Sequence, residues 1–532
     1  MKLNKKSIRD IVYALGINYS IYILLHLFFF TTYESQLDIM MQAAVQGVSG
    51  TKTASILYSN VILGWIIKGF TIEISFINWY YVYLVFMVIV SLSIISYIMI
   101  LRTGRKMGTT VSVILASFIG YECYILPGYM KSASVLGMAA LVLLADTIGR
   151  SALNSKKRKW GIIVLIVLCS MVSMSVFMIT LLLGIVGLIV YDGSQHGWVF
   201  FSWLRKDGKF VKEQVKPLAF IAVGMIAGVI LLRGIDVVSY HVRGYENSAK
   251  YRSAVIRMYG YGMGDYDPSY TEKYGIDSAE YDSIKKGSFG VTGESTWKTL
   301  KKLSKEHEKI SFKVVNMYFK SVPLKWFKYG TFYLFLIMLF LLSYAPSRKK
   351  KVTVWTQIIL LFITFFVLYV CHAWWNNWIV FVAVLPLILP MLLAQKDAPE
   401  KEYRYLCAYL VVMSVILYGK FSSGMVSGVS SGDMSEKFVA LTTEQKNIID
   451  LNAYLKSYSA QKNYTRGILK ANNVVVSNGA YALMEGFEDD VMTAYPSENE
   501  KYEWIYNTKD LSIWNMVFEK EWHDDKEFDY RK

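Results

Sequence analysis

Long apolar runs separated by short basic clusters are the feature that most constrains this chain. A helix that crosses a bilayer needs about 20 mostly apolar residues, and runs of that length recur between residues 12 and 421. Loops rich in lysine and arginine stay in the cytoplasm. The six clusters of this kind lie at residues 2–9, 102–106, 150–159, 205–216, 348–351 and 396–404. Neighbouring clusters must therefore be joined by an even number of crossings.

This even-number rule predicts about eleven spans, with the N-terminus in the cytoplasm and the C-terminal segment outside the cell. The apolar stretch 54–70 would reverse the sidedness of the next basic cluster if it crossed, and it carries Asn60 and Lys68. We therefore expect it to lie at the outer interface. The predicted spans are 12–32, 77–101, 109–127, 131–149, two within 160–192 that turn near Ser173 to Ser175, 216–236, 324–345, 353–372, 378–395 and 404–421.

Composition agrees with a membrane protein. Hydrophobic residues make up 54% of the 532 residues and charged residues only 18%, against about 25% in soluble chains. The net charge of +16 comes from clusters between apolar runs, which argues against nucleic-acid binding. The four cysteines lie in or beside apolar runs and form no C-x-x-C pair, so neither a zinc site nor a disulfide framework is indicated.

The chain divides into two parts. Residues 1–421 form an all-α polytopic transmembrane domain, with a first outer loop at 33–76 and a large outer loop at 237–322. Residues 422–532 form an extracytoplasmic segment that begins with a Gly/Ser linker. In that segment the pattern predicts a helix over 444–458 and a strand over 473–476, which together indicate a small α/β unit.

The first outer loop holds the strongest candidate site. Glu34 and Asp38 are four residues apart, so a helical segment here would place both carboxylates on one face. A carboxylate at the outer rim can act as a general base or bind a divalent metal. The alternative is that both acids only solvate a loop beside the membrane.

Cations at the outer rim are candidates for binding a phosphate. They are Lys131, Arg243, Arg252 and Arg257, and arginine matches phosphate through its bidentate fork. For Lys131 the structural alternative is an ion pair with Glu122 across the turn at Pro127. Arg233 and Asp236 are three residues apart, which favours a local ion pair over a catalytic role.

Two further residues are weighed in the same way. His372 precedes Trp374, Trp375 and Trp378, a group that is typical of an interfacial aromatic belt or, secondarily, of a sugar-stacking surface. Asp265 lies in a glycine- and tyrosine-rich part of the large outer loop, which we interpret as a flexible segment that orders over substrate.

The order of these features resembles the GT-C superfamily of polytopic glycosyltransferases. The similar segments are LDIMMQAAVQGVSG with Asp38, ILYSNVILGWIIKGF, INWYYVYLVF and GYENSAKYRSAVIRMYGYGMGDYDPSY with Asp265. The resemblance implies a bacterial enzyme that moves sugar from a polyprenyl-phosphate carrier to a cell-envelope glycan or lipid on the outer face. It implies Asp38 as the catalytic general base, which takes the proton of the acceptor hydroxyl. GT-C relatives often carry two adjacent acids where this chain has Leu37 and Asp38, so Asp38 would act alone or with Glu34.

Two other classes of function stay open from the sequence. One is a transporter or flippase for a lipid-linked saccharide, which predicts charged or broken helices in mid-membrane. The other is a non-catalytic envelope assembly protein whose acidic tail contacts a partner. No cofactor is required by the motifs, although a divalent metal fits the carboxylate pair.

Overall fold

The computed structural model describes most of the membrane domain. It covers residues 5–29, 58–149, 154–196, 216–242, 266–278, 348–370 and 377–393. Isolated positions between 31 and 56 and between 281 and 335, and three short strands after residue 446, are also described. The predicted spans 324–345 and 404–421 lie outside the described residues, apart from Leu334 and Phe335.

The described residues are mainly helical. The helices are α1 Lys5–Phe28, α2 Val61–Glu73, α3 Trp79–Thr103, α4 Arg105–Gly120, a π-helical turn Tyr121–Ile125, α5 Tyr129–Gly149, α6 Lys156–Val172, α7 Met174–His196, α8 Lys216–Val242, α9 Ser269–Tyr274, α10 Arg348–Val370 and α11 Asn377–Leu393. Each predicted span that falls within the described ranges corresponds to one of these helices, although several bounds are shifted.

Five of the described helices are long and apolar enough to cross a bilayer. These segments are Ser7–Leu27, Trp79–Thr103, Arg105–Ile125, Tyr129–Ile148 and Lys216–Val242. Met174–Val190 and Trp355–Val367 are shorter apolar helices. Helix α6 has 17 residues, and its first four are basic, so its apolar part alone is shorter than a typical span. The described part of the chain is thus mainly helical, with five helices whose length and composition suit a membrane crossing, and the number eleven remains a prediction.

The predicted tight turn within 160–192 is confirmed. Helix α6 ends at Val172, α7 begins at Met174, and Ser173 between them has extended backbone angles, φ −156° and ψ 114°. Contacts with α5 give the directions of the two helices. Asp146 contacts Arg158 and Ala133 contacts Cys169, so α6 runs antiparallel to α5.

Helix α7 runs in the opposite direction to α6. Gly137 lies against Thr180, and Gly184 lies against Leu141, so α7 runs parallel to α5. The absence of a Cβ at these glycines lets the helices approach closely, as small residues do in membrane bundles. Helices α6 and α7 therefore form a hairpin around Ser173.

The directions of helices α1, α3 and α4 also alternate. Asn18 of α1 donates to Ser96 of α3 over 3.1 Å, whereas the ring of Tyr13 on α1 lies under the Arg105 guanidinium at 4.2 Å. Helix α3 leads back to Arg102, whose guanidinium reaches Asp146 of α5. Helix α1 is thus antiparallel to α3 and parallel to α4.

Helix α8 packs alongside α6 in the same direction. The Lys159 ammonium lies 5.0 Å from the ring centre of Phe220, and Gly228 lies against Val167. Further along α8, the carbonyl of Leu232 accepts from the Asn60 side chain at 2.8 Å. The first two contacts each join residues that are 61 positions apart in the chain, so the two helices run parallel.

These directions give the bundle two distinct ends. The first, here called the basic end, holds the charged residues at the starts of α1, α4, α6 and α8 and at the end of α3, which are Lys5, Arg102, Arg105, Lys156 and Lys216. The opposite end holds Asp38, Asn60, Asn78 and Asp236. The segregation agrees with the predicted alternation of crossings; which compartment each end faces remains a prediction.

Helix α2 starts seven residues later than the predicted interfacial stretch. It has 13 residues, and at 1.5 Å per residue it is roughly 20 Å long, shorter than the roughly 30 Å hydrocarbon layer. Its N-terminus lies against the end of α6 and the second half of α8, because the backbone N–H of Asn60 donates to the carbonyl of Met171 and its side chain donates to that of Leu232. The prediction of a helix that does not cross agrees with this length.

The described part of the C-terminal segment consists of three short parallel strands. They are β1 Asn447–Asp450, β2 Val474–Ser477 and β3 Glu503–Trp504, in the order β2-β1-β3. Strand β2 matches the predicted strand within one residue. The predicted helix over 444–458 is wrong where β1 lies; Ile448 and Ile449 are β-branched and favour a strand. No helix lies among the described residues of this segment, so its α/β character is not confirmed.

Candidate functional site

Asp38 lies at the start of helix α5, at the opposite end of the bundle from the basic residues. Its side chain is fully buried. The Oδ1 atom accepts hydrogen bonds from the Tyr80 hydroxyl at 2.8 Å and from the backbone N–H of Tyr129 at 2.8 Å. Tyr129 is the first residue of α5, so the carboxylate caps a helix N-terminus, where the helix dipole favours negative charge.

The other oxygen of Asp38 lies beside Gly128. A Cβ added at Gly128 would be 3.3 Å from Asp38 Oδ2, which is tighter than an ordinary van der Waals contact. The carbonyl of Gly128 accepts from the N–H of Ser132, the first turn of the helix. Glycine at 128 thus gives the carboxylate room to lie directly against the helix start.

Buried aromatic residues surround this carboxylate. The ring centres of Tyr33 and Tyr80 are 6.0 Å apart, and the Tyr33 hydroxyl accepts from the Asn78 side chain at 3.3 Å. Burial raises the pKa of the Tyr33 phenol well above its ordinary value, so this hydroxyl stays protonated at neutral pH. On α1, His26 bonds the Tyr22 carbonyl and the Tyr81 hydroxyl, so both of its ring nitrogens have partners within the bundle.

Lys131 forms an ion pair with Glu122, as the structural alternative predicted. The Lys131 Nζ lies 2.9 Å from Glu122 Oε2 and also donates to the carbonyls of Glu122 and Leu126. Its side chain is fully buried. Three acceptors use the three donors of an ammonium group, so Lys131 joins the two sides of the turn in this structure.

Asp236 has a capping role like that of Asp38. Its Oδ1 accepts from the backbone N–H of Val61 at 2.8 Å, and the Asn60 side chain accepts from Ile62 at 3.0 Å. The predicted pair with Arg233 is present at 3.8 Å, although the Arg233 side chain is 56% exposed. A pair this long and exposed contributes little, and the main contact of Asp236 is with the start of α2.

A groove opens between α2 and α8 at this same end. It has a volume of about 640 Å³, and its lining is almost entirely apolar, with Trp65 on one side and Ile230, Gly234 and Val238 on the other. A Cβ at Gly234 would meet no atom within 4 Å. The volume lies within the range of small-molecule sites, about 300–1,000 Å³.

The described part of the large outer loop is a compact aromatic group. Tyr266 and Tyr281 have ring centres 5.6 Å apart, and Tyr270 lies 5.6 Å from Tyr281. The backbone N–H of Ser269 donates to Asp267 and lowers the pKa of this exposed carboxyl. Asp265, two residues earlier, lies outside the described residues.

The structure places only part of the predicted site. Asp38 and Lys131 are described, and each is buried with partners of its own. The others lie outside the described residues, namely Glu34, Arg243, Arg252, Arg257, Asp265 and His372. Within the described part of the chain, no group of three or more histidine, cysteine or acidic side chains is arranged to bind a metal ion.

Two contacts of Asp38 and one ionic cluster were not predicted. Tyr80, in the sequence NWYYVYL, resembles any interfacial tyrosine, and a backbone N–H leaves no mark in the sequence. Asp146 on α5 accepts from Arg102 and Arg158. An acid inside an apolar helix is itself a signal, and attention to it could have identified this cluster.

Comparison with family models, with curated proteins and with solved structures finds no match for this chain.

Proposed function

We propose that this protein is a membrane glycosyltransferase that moves a sugar from a polyprenyl-phosphate-type carrier to a cell-envelope acceptor. The observation that carries the proposal is the carboxylate of Asp38 at the N-terminus of α5. It follows the first helix, at the end of the bundle that lies opposite the basic clusters. That end faces the outer compartment if the lysines and arginines lie in the cytoplasm.

The proposed sugar transfer needs a base beside the attacking hydroxyl of the acceptor. The acceptor oxygen forms a bond to the anomeric carbon while the bond from that carbon to the carrier phosphate breaks, and the hydroxyl proton passes to Asp38. Tyr80 and the N–H of Tyr129 hold one oxygen of the carboxylate. These two hydrogen bonds fix its position, which is what a general base needs.

The groove between α2 and α8 supports a lipid-linked donor. It is apolar, includes Trp65, and lies at the same end as Asp38. A carrier chain would lie in such a groove, with its phosphate toward the outer rim. Since Lys131 is bonded to Glu122, we assign the phosphate to arginines of the large outer loop, Arg243, Arg252 and Arg257.

Access to Asp38 requires movement of the first outer loop. Asp38 is fully buried, and Met41 and Val45 of the same loop are fully buried as well. Acceptor entry therefore needs this loop to open, as lids do in many transferases.

The test is sugar transfer by membranes that contain Asp38→Asn. The assay follows radiolabel from polyprenyl-phosphate-linked sugars into envelope material, with membranes that lack the protein as background. A general base contributes about 10²- to 10⁴-fold, so we expect a loss of at least about 100-fold. The matched control is Asp236→Asn, because Asp236 caps α2 as Asp38 caps α5.

The control separates catalysis from folding. Retained transfer in Asp236→Asn with loss in Asp38→Asn supports the proposal. Full transfer in Asp38→Asn rules out its role as a base. Equal losses in both variants would assign the effect to the loss of a negative charge at a helix start and contradict the proposal.

A further inference from the structure

A buried ionic cluster joins three helices at the basic end. Asp146 of α5 accepts from Arg102 of α3 at 3.3 Å and from Arg158 of α6 at 2.8 Å. The Asp146 side chain is fully buried, and that of Arg102 is 10% exposed. Arg158 also donates to the Thr147 hydroxyl at 3.4 Å.

The cluster holds more positive than negative charge. Among the described residues, two guanidinium groups face one carboxylate, which gives a net charge of +1; the carboxylate is fully buried and the Arg158 side chain is 26% exposed. In addition, the Nη1 of Arg102 is buried and has no hydrogen-bond partner within the described part of the chain. A buried charged donor without an acceptor is costly, and together with the excess positive charge it favours an anion beside the cluster.

Two helix starts near the cluster also favour an anion. Helix α4 begins one residue after Gly104 and α6 begins after Ser155, and neither N-terminus has a side-chain cap. Their first turns contain no acid but carry Arg105, Lys106 and the run Lys156–Lys159. Positive side chains at a helix N-terminus oppose the helix dipole. An external anion would offset both the dipoles and the side-chain charges.

The surroundings of the cluster indicate a lipid. Trp160 is 56% exposed and Phe220 is 44% exposed, with ring centres 5.9 Å apart, and Lys159 lies over Phe220. Exposed tryptophan beside lysine is typical of the level of the lipid headgroups. Arg102 is the second-last residue of α3, and Asp146 lies three residues before the end of α5. Because both helices are long enough to cross a bilayer, charges at these ends would lie near the membrane surface.

We propose that the Arg102–Asp146–Arg158 cluster and the starts of α4 and α6 form a binding site for the phosphate of an anionic membrane lipid. The site is separate from the proposed sugar-transfer site, which lies at the other end of the bundle. The exposed parts of the Arg102 and Arg158 side chains, 10% and 26% of their surfaces, donate to the phosphate oxygens, and the N-terminal N–H groups and lysines of α6 provide the remaining positive field.

The experiment measures lipid binding to the full-length protein in detergent micelles. The probes are fluorescent phosphatidylglycerol, phosphatidylcholine with the same fluorophore, and inorganic phosphate as a competitor. We expect phosphatidylglycerol to bind at least about tenfold more tightly than phosphatidylcholine. Arg102→Lys keeps a charge near Asp146 but lacks the second guanidinium nitrogen, and it should weaken phosphatidylglycerol binding about tenfold.

A variant at the other end serves as the control. Arg233→Gln removes one positive charge from the opposite end and should leave binding unchanged. Lys157→Gln, at an exposed position of α6, should weaken binding several-fold and carries the test if Arg102→Lys does not fold. Equal binding of the two lipids, equal loss in Arg233→Gln, or unchanged binding in Lys157→Gln would overturn the proposal. Displacement of the lipid by inorganic phosphate at similar concentration would overturn the choice of a lipid.

Discussion

The two ends of the bundle differ in whether side chains cap the helix N-termini. At the end that lies opposite the basic end, here called the capped end, side-chain oxygens accept from the first helical N–H groups. Asn60 and Asp236 cap α2, Asn78 caps α3 and Asp38 caps α5. At the basic end, α4 and α6 begin without side-chain caps and with positive first turns.

The two ends therefore differ in where the N–H groups at their helix starts find hydrogen-bond acceptors. Backbone N–H groups at a helix start need acceptors, and one end supplies them from its own acids and amides. The other end leaves them to groups outside the chain, for which lipid phosphates are suited. Substitutions at the capped end should therefore change stability in any detergent, whereas those at the basic end should change dependence on lipid.

The largest expected effect is the loss of the buried pair at the capped end. Lys131→Met leaves the Glu122 carboxylate without its ammonium partner in a buried turn, which should cost about 3–5 kcal/mol of unfolding free energy. Unfolding in mixed micelles measures it. The double variant with Glu122→Gln removes both charges and should recover most of the loss; a single variant within about 1 kcal/mol of the parent would contradict the described pair.

Asp38 should rank second. Asp38→Ala removes the acceptor of the Tyr80 and Tyr129 hydrogen bonds, and a charged acceptor contributes about 1.5–3 kcal/mol. Tyr80→Phe removes only the hydroxyl and should cost about 1 kcal/mol. The same unfolding measurement compares them. Equal stability of Asp38→Ala and the parent would show that Asp38 does not cap α5.

A smaller effect is expected at the start of α3. The Asn78 side chain accepts from the Tyr81 N–H at 3.2 Å, and removal of an N-cap costs about 1 kcal/mol. Asn78→Ala should lower the unfolding free energy by about this amount. Asn78→Ser also lacks the amide donor to Tyr33 but retains an accepting oxygen, so it should lose less than Asn78→Ala, and a reversed order would argue against the cap.

The smallest effect is expected when an acidic N-cap is added to α6 at the basic end. Ser155 has φ −69° and ψ 109° at the N-cap of α6 but makes no side-chain cap. Ser155→Asp places a carboxylate beside the positive first turn and should stabilise the protein by about 0.5–1 kcal/mol in neutral detergent. Anionic lipid should reduce this gain, because lipid and carboxylate would satisfy the same helix start. A gain that is unaffected by lipid would contradict the comparison.

The sequence predicted the helices better than the site. Apolar runs and basic clusters depend on local composition, and they were enough to predict the break at Ser173 and the alternation of helix directions. The caps required knowledge of tertiary contacts. Asp236 contacts Val61 across 175 residues, and Asp38 contacts a backbone N–H, which no side-chain pattern records. The helix predicted over 444–458 was wrong at Asn447–Asp450 because short apolar runs favour helix and strand about equally.

Labelling from the two sides of the membrane tests the central claim most directly. Glu73→Cys lies at the end of α2, and Lys157→Cys lies in the first turn of α6; both positions are exposed. The parent chain, whose Cys123 and Cys169 are buried, gives the background. A membrane-impermeant maleimide should label Glu73→Cys in intact cells and Lys157→Cys only after the membrane is opened. Labelling of both positions from the same side would contradict a bundle whose capped and basic ends face different compartments.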